Sequence, residues 1–88
     1  MSDDFEAQVV RAFENLATVL STAGVTFEQV IRFGYFVVAL DDHKLRLVRS
    51  VRDRFVQGPE PPASTLVGVQ RLYLADVLIE IEAVAELP

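Results

Sequence analysis

The segment from Val30 to Ala39 constrains this chain more than any other. Its β-branched and aromatic residues, Val30, Ile31, Phe33, Tyr35, Phe36, Val37 and Val38, predict a strand. Side chains of a strand alternate between two faces. One face carries Ile31, Phe33, Tyr35 and Val37; the other carries Val30, Arg32, Gly34, Phe36 and Val38. Both faces are largely apolar, so the strand needs cover on both sides.

Its neighbours supply cover for one side. Phe5, Val9, Phe13, Leu16 and Leu20 recur every three to four residues and predict an amphipathic helix over Asp4 to Ala23. Ser2, Asp3 and Asp4 offer capping oxygens at its start, and Gly24 suits a left-handed C-terminal cap. Thr26 and Gln29 have the spacing of a small capping box over one tight turn. Asp41 and Asp42 mark a turn and a second N-cap. A helix then runs from about Asp42 to Val56, with Leu45, Val48, Val51 and Phe55 inward. Gln57 to Pro62 is too rich in Gly and Pro for helix or central strand and is read as a loop. Strands follow over Ala63 to Arg71 and Val77 to Ala85. Leu72 to Asp76 between them is long for a tight hairpin.

The predicted order is therefore αβαββ, an α+β chain with a three-stranded sheet and both helices on one face. The strand–helix–strand unit should be a right-handed crossover. The opposite sheet face would show Phe36, Val38, Leu66, Leu78 and Val84, or the matching set in the other register. Nothing left in 88 residues can cover it, although 51% of them are hydrophobic. The expected cover is another chain.

Other features exclude whole classes. Arg32, Gly34, Glu80 and Glu82 interrupt the apolar runs, and none approaches the roughly 20 residues of a membrane-spanning helix. The acidic start Met1-Ser2-Asp3-Asp4 does not look like a signal peptide, and there is no cysteine. The expected location is the cytoplasm. A net charge of −5 disfavours general nucleic-acid affinity, yet five of the eight basic residues fall between Lys44 and Arg54. Arg46, Arg49 and Arg52 recur every three residues there, as a phosphate-binding stripe or an ordinary solvated helix surface would. No aromatic residues interleave with them to stack bases.

Three stretches together resemble the Rid/YjgF family, also called the L-PSP endoribonuclease family. They are Phe5-Glu6-Ala7-Gln8 with Phe13-Glu14-Asn15-Leu16 and Ala23-Gly24, then Pro62-Ala63-Ser64-Thr65-Leu66-Val67, then Ile79-Glu80-Ile81-Glu82-Ala83-Val84-Ala85. The resemblance covers essentially the whole chain, read as one Rid-like domain over residues 1–88. It implies a chorismate-mutase-like fold and a homotrimer whose sheets face a central barrel. It also implies ligand clefts between subunits, and hydrolysis of enamines and imines to a ketoacid and ammonia. Other members are described as ribonucleases or translation inhibitors. The resemblance implies no metal and no organic cofactor.

The chain departs from the family pattern in three ways. Active deaminases carry an arginine after the Pro-Ala pair to grip the substrate carboxylate, and here that residue is Ser64. A hydroxyl cannot replace a bidentate, permanently charged fork. The asparagine and tyrosine often found on the family's second helix are absent from Leu47 to Arg54. The family's N-terminal strands are also missing, so the chain is expected to be a naturally short member, a fragment or part of a mixed assembly.

The candidate site follows from the resemblance. Glu80 matches the water-activating acid/base, and Ser64 and Thr65 are candidate substrate-binding residues; Arg32, an arginine among apolar strand residues that should snorkel or pair with a carboxylate, is a further candidate from its own position rather than from the resemblance. Glu80 and Glu82 lie two apart on one strand, roughly 7 Å apart on one face, as a structural pair would also lie. His43 beside Asp41 and Asp42 reads as a solvated turn rather than part of a catalytic triad. The leading expectation is an oligomer that binds a small keto or imino acid between subunits, with weak deaminase activity. The alternatives are a catalytically silent subunit of a larger, heteromeric assembly, and an RNA-binding or ribonuclease-like member.

Overall fold

The computed structural model describes residues 4–58 and 61–87. Helix α1 (Phe5–Thr22) is followed by a single 3-10 turn (Phe27–Gln29), strand β1 (Val30–Val38), helix α2 (Asp42–Phe55), and strands β2 (Ala63–Val69) and β3 (Ile79–Ala85). Asp4 caps α1 by accepting from the Glu6 amide, and Asp41 caps α2 by accepting from the Lys44 amide. Thr26 and Gln29 form the expected reciprocal capping box. Gly24 adopts φ +79° just past α1, where a side chain would be strained. The capping oxygens expected of Ser2 and Asp3, and the Pro59–Glu60 part of the predicted loop, lie outside the described residues.

The sheet order is β2-β1-β3, with β1 at the centre. β1 pairs parallel with β2, closing the strand–helix–strand unit, and antiparallel with β3. The chain between β2 and β3 therefore spans the sheet rather than forming a hairpin. This explains why the segment around Leu72 to Asp76 is too long for a tight turn.

The core lies between the sheet and the two helices. Val9, Phe13 and Leu20 of α1, Val48 and Val51 of α2, and Phe33, Tyr35, Val37 and Ile79 of the sheet are all buried. Phe13 is its centre. Its ring stacks on Phe55 at 5.3 Å and meets Phe27, Phe33 and Tyr35 at 6.2 Å each. Buried Gln8 ties α1 to the start of β3. Its amide donates to the Asp76 carbonyl at 2.9 Å, and its side-chain carbonyl accepts from the Leu78 amide at 2.8 Å.

Two readings of strand alternation are corrected by pairing. A bulge between Val30 and Arg32 shifts the register, so Val30 turns into the core and Ile31 is exposed. Leu66 pairs with Tyr35 and so faces the helices; Val67 and Val69, paired with Phe36 and Val38, face the other way.

Candidate functional site

The sheet divides the candidate residues between its two faces. Phe33 and Tyr35 share the helix side with their register partners Ser64 and Leu66. The other side carries Arg32, Gly34, Phe36 and Val38 of β1, Thr65, Val67 and Val69 of β2, and Glu80, Glu82 and Val84 of β3. Glu80, Thr65 and Arg32 thus occupy one face, and Ser64 occupies the other. Residues 64 and 65 are consecutive in a strand, so they cannot face the same way.

The face opposite the helices is open and mixed in character. Val67 and Val84 are 39% and 43% exposed, and Phe36 is half-buried. Glu80 and Glu82 are exposed. The Glu82 side chain lies over Gly34, so that a Cβ at residue 34 would stand 2.9 Å from its Cγ and Oε1. The missing side chain of Gly34 makes the room that Glu82 occupies.

The helix side holds a cavity of about 340 Å³ between α2 and the β1–β2 pair. Ser64, Tyr35, Arg49 and Arg52 line it, with Leu45, Val48 and Leu66. Tyr35 is 3% exposed, and its hydroxyl is buried beside the Ser64 side chain. Burial pushes its pKa above the ordinary value. The nearby Ser64 hydroxyl and the Arg52 charge oppose that rise, and Asp53 adds to it.

The predicted arginine stripe is split by the helix surface. Arg52 pairs with Asp53 at 3.1 Å, and Arg54 pairs with Glu6 of α1 at 3.1 Å. Arg46 lies beside His43 and Glu6 in a shallow groove, whereas Arg49 and Arg52 line the cavity. Steps of three residues turn a helix by less than a full revolution, so the three drift around its surface. Lys44 turns inward instead, donating to the Val38 carbonyl at 2.8 Å with its ammonium 4.9 Å from the Phe5 ring centroid. Reading the sequence for a nucleic-acid stripe left the cavity-lining role of Arg49 and Arg52 unseen. Their spacing from Val48 and Leu45 on α2 is the signal that could have shown it.

The family model described as Endoribonuclease L-PSP matches residues 1–87. The chain belongs to this family, the Rid/YjgF family. The RutC family protein YjgH of Escherichia coli (strain K12) is 33% identical over 85 residues, covering 97% of this chain and 63% of that protein. RutC family protein slr0709 of Synechocystis is 34% identical, over 94% of this chain and 62% of its own length. A crystal structure of a conserved Rid family protein, YyfB from Yersinia pestis, superposes with a TM-score of 0.91 at 36% identity, covering 97% of this chain and 64% of that one. Rv2704 of Mycobacterium tuberculosis, of the YjgF/YER057c/UK114 family, gives 0.81 at 31% identity, covering 94% and 68%. The chain thus spans 62–63% of the length of these two curated relatives. The α+β fold read from the sequence is the Rid fold, with two helices on a three-stranded mixed sheet. Among the described residues, no helix is long and apolar enough to cross a membrane.

Proposed function

We propose that this Rid family chain works in the cytoplasm as a closed oligomer, a trimer in the simplest case, that binds a small keto- or imino-acid-like metabolite. The open sheet face supports this reading. Phe36, Val67, Val69 and Val84 lie there together, exposed or half-buried, while both helices pack on the other side. A ring gives each subunit two contact surfaces and covers such a face completely. Velocity sedimentation at micromolar concentration tests the assembly; a stable, folded monomer overturns it.

Imine hydrolysis is at most weak in this reading. Position 64 offers a hydroxyl where substrate grip needs a guanidinium. Losing a charged bidentate contact costs about 3–5 kcal/mol, or a hundredfold or more in rate. Turnover of 2-iminopropionate is therefore expected to be at least about a hundredfold below that of arginine-bearing relatives. Fast turnover abolished by Glu80→Gln would reverse this conclusion. The hydroxyl at position 64 also favours the second reading, a catalytically silent subunit of a larger assembly. A stable heteromer without turnover identifies it.

A further inference from the structure

The positive charge of this chain is gathered on one element. Residues 44–54 hold five of the eight basic residues and one of the thirteen acidic ones, a net charge of +4; the other residues together carry −9. All of these positions lie in α2. An anion approaching this otherwise acidic molecule is therefore drawn to the surface of α2. Several of its cations are already engaged. Lys44 donates to the Val38 carbonyl, Arg52 pairs with Asp53, and Arg49 and Arg52 line the cavity beneath the helix. Arg46 and Arg54 instead line the outer groove between α2 and the start of α1, about 310 Å³ in volume, together with His43, Ser50 and Glu6. Leu47 and Val51 are its aliphatic wall.

A second, independent feature is the place of Ser50 in that groove. Arg46 and Arg54 stand four residues before and after it, about 6 Å along the axis in either direction and on the same face. Thr18 and Thr22 of α1 donate their hydroxyls to the carbonyl four residues back, at 3.2 and 3.0 Å. Ser50 makes no such bond to Arg46, so its hydroxyl is left to the groove. Arg46 makes no ion pair among the described residues. Arg54 shares its charge with Glu6 at 3.1 Å, in a pair that is about half exposed and so weakly held.

We propose that this groove binds a small phosphate monoester, its phosphoryl group seated over Ser50 between Arg46 and Arg54. Three terminal oxygens and two charges match donors on three successive turns of the helix; a carboxylate has two oxygens and one charge. The Arg54 guanidinium turns from Glu6 to the phosphoryl group, so Glu6 competes with the ligand. A nucleic-acid backbone carries a related group, but no aromatic residue lines the groove to stack a base. The volume is at the small end for a ligand pocket. The groove shares no lining residue with the cavity that holds Ser64, and it lies on the helix layer, away from the open sheet face. The inference is therefore independent of the assembly and metabolite reading above.

The test is titration of the full chain with glycerol 2-phosphate, with acetate and with a short single-stranded RNA at one ionic strength, followed by calorimetry and by the amide chemical shifts of α2. The monoester is expected to bind at about millimolar concentration or below, and acetate about tenfold or more weaker. Arg46→Ala should weaken monoester binding by about tenfold or more with helix content unchanged by circular dichroism, and Arg46→Lys should restore part of it. Ser50→Ala should weaken it a few-fold. Glu6→Gln should tighten it a few-fold, because Arg54 loses its other partner. Arg71→Ala removes the same charge elsewhere and should change nothing. The proposal is overturned by no binding of the monoester, by equal binding of acetate, by equal losses in Arg46→Ala and Arg71→Ala, or by weaker binding in Glu6→Gln. RNA that binds through Arg46 while the monoester does not also overturns it, in favour of a surface that follows a nucleic-acid backbone.

Discussion

Tyr35 shows how one residue ties stability to pH. Burial holds its pKa above the usual value of about 10, so the folded chain keeps this proton when the unfolded chain has lost it. The stability this confers is fully present below about pH 10 and is lost as pH rises through the folded value. Urea midpoints measured from about pH 8 to 11 should therefore fall at the alkaline end, and Tyr35→Phe should flatten that fall. An equally steep fall in the variant would assign the alkaline loss to other groups. Gly34 gives a second test at this scale. A methyl there would press first on the Glu82 side chain, which is exposed and can swing away. Gly34→Ala is expected to cost less than about 1 kcal/mol, because Gly within a strand is itself a weak choice. A loss of several kcal/mol in thermal or urea unfolding would mean that Glu82 is fixed in place.

At the scale of elements, the joint between α1 and β3 depends on one polar side chain. Gln8 is 6% exposed and satisfies two backbone groups that have no strand partner, the Asp76 carbonyl and the Leu78 amide. Gln8→Leu preserves much of its volume but leaves that part-buried donor and acceptor without their partner. We expect a loss of about 1–3 kcal/mol with an unchanged urea m-value. Fast hydrogen exchange at the Leu78 amide would locate the damage. An unchanged midpoint would show that water replaces the amide without penalty. Gln8 belongs to one of the stretches that resemble the family, yet nothing in its own sequence context marks it as buried. Its partners lie 68 and 70 residues away, and only the packing of α1 on the sheet brings them together.

For the whole molecule, the open sheet face is the surface that the proposed assembly would cover. If roughly five apolar side chains each bury about 100 Å² on association, the gain is on the order of 12 kcal/mol before association costs. Val67→Asp and Val84→Asp place charges on this face at exposed positions, so each variant should fold. In the proposed assembly both should shift the sedimenting species toward monomer. Retention of the full oligomer by both variants would place the interface elsewhere. The same measurements bear on solubility, because an uncovered apolar face on an edge-bearing sheet invites irregular association.

Much of this architecture is written in local pattern. The 3-to-4-residue recurrence of Val9, Phe13 and Leu20, the caps at Asp4, Asp41 and Thr26, and the aromatic β1 each act over a few residues, so each could be read directly. Family membership was legible for a related reason, since its three stretches keep their order and spacing. The two sides of the sheet were legible only in part. A bulge at Val30–Arg32 reverses the alternation that local reading assumes, and the parallel register of β2 sends Leu66 inward and Val67 outward. The candidate site depended on tertiary structure most. That Ser64 and Glu80 stand on opposite faces follows from pairing across β1, and that Arg49, Arg52, Ser64 and Tyr35 share one cavity follows from how α2 lies on the sheet. Chain-neighbour forces set helices and strands, whereas the meeting of residues distant in sequence is fixed by the register and packing of the complete core.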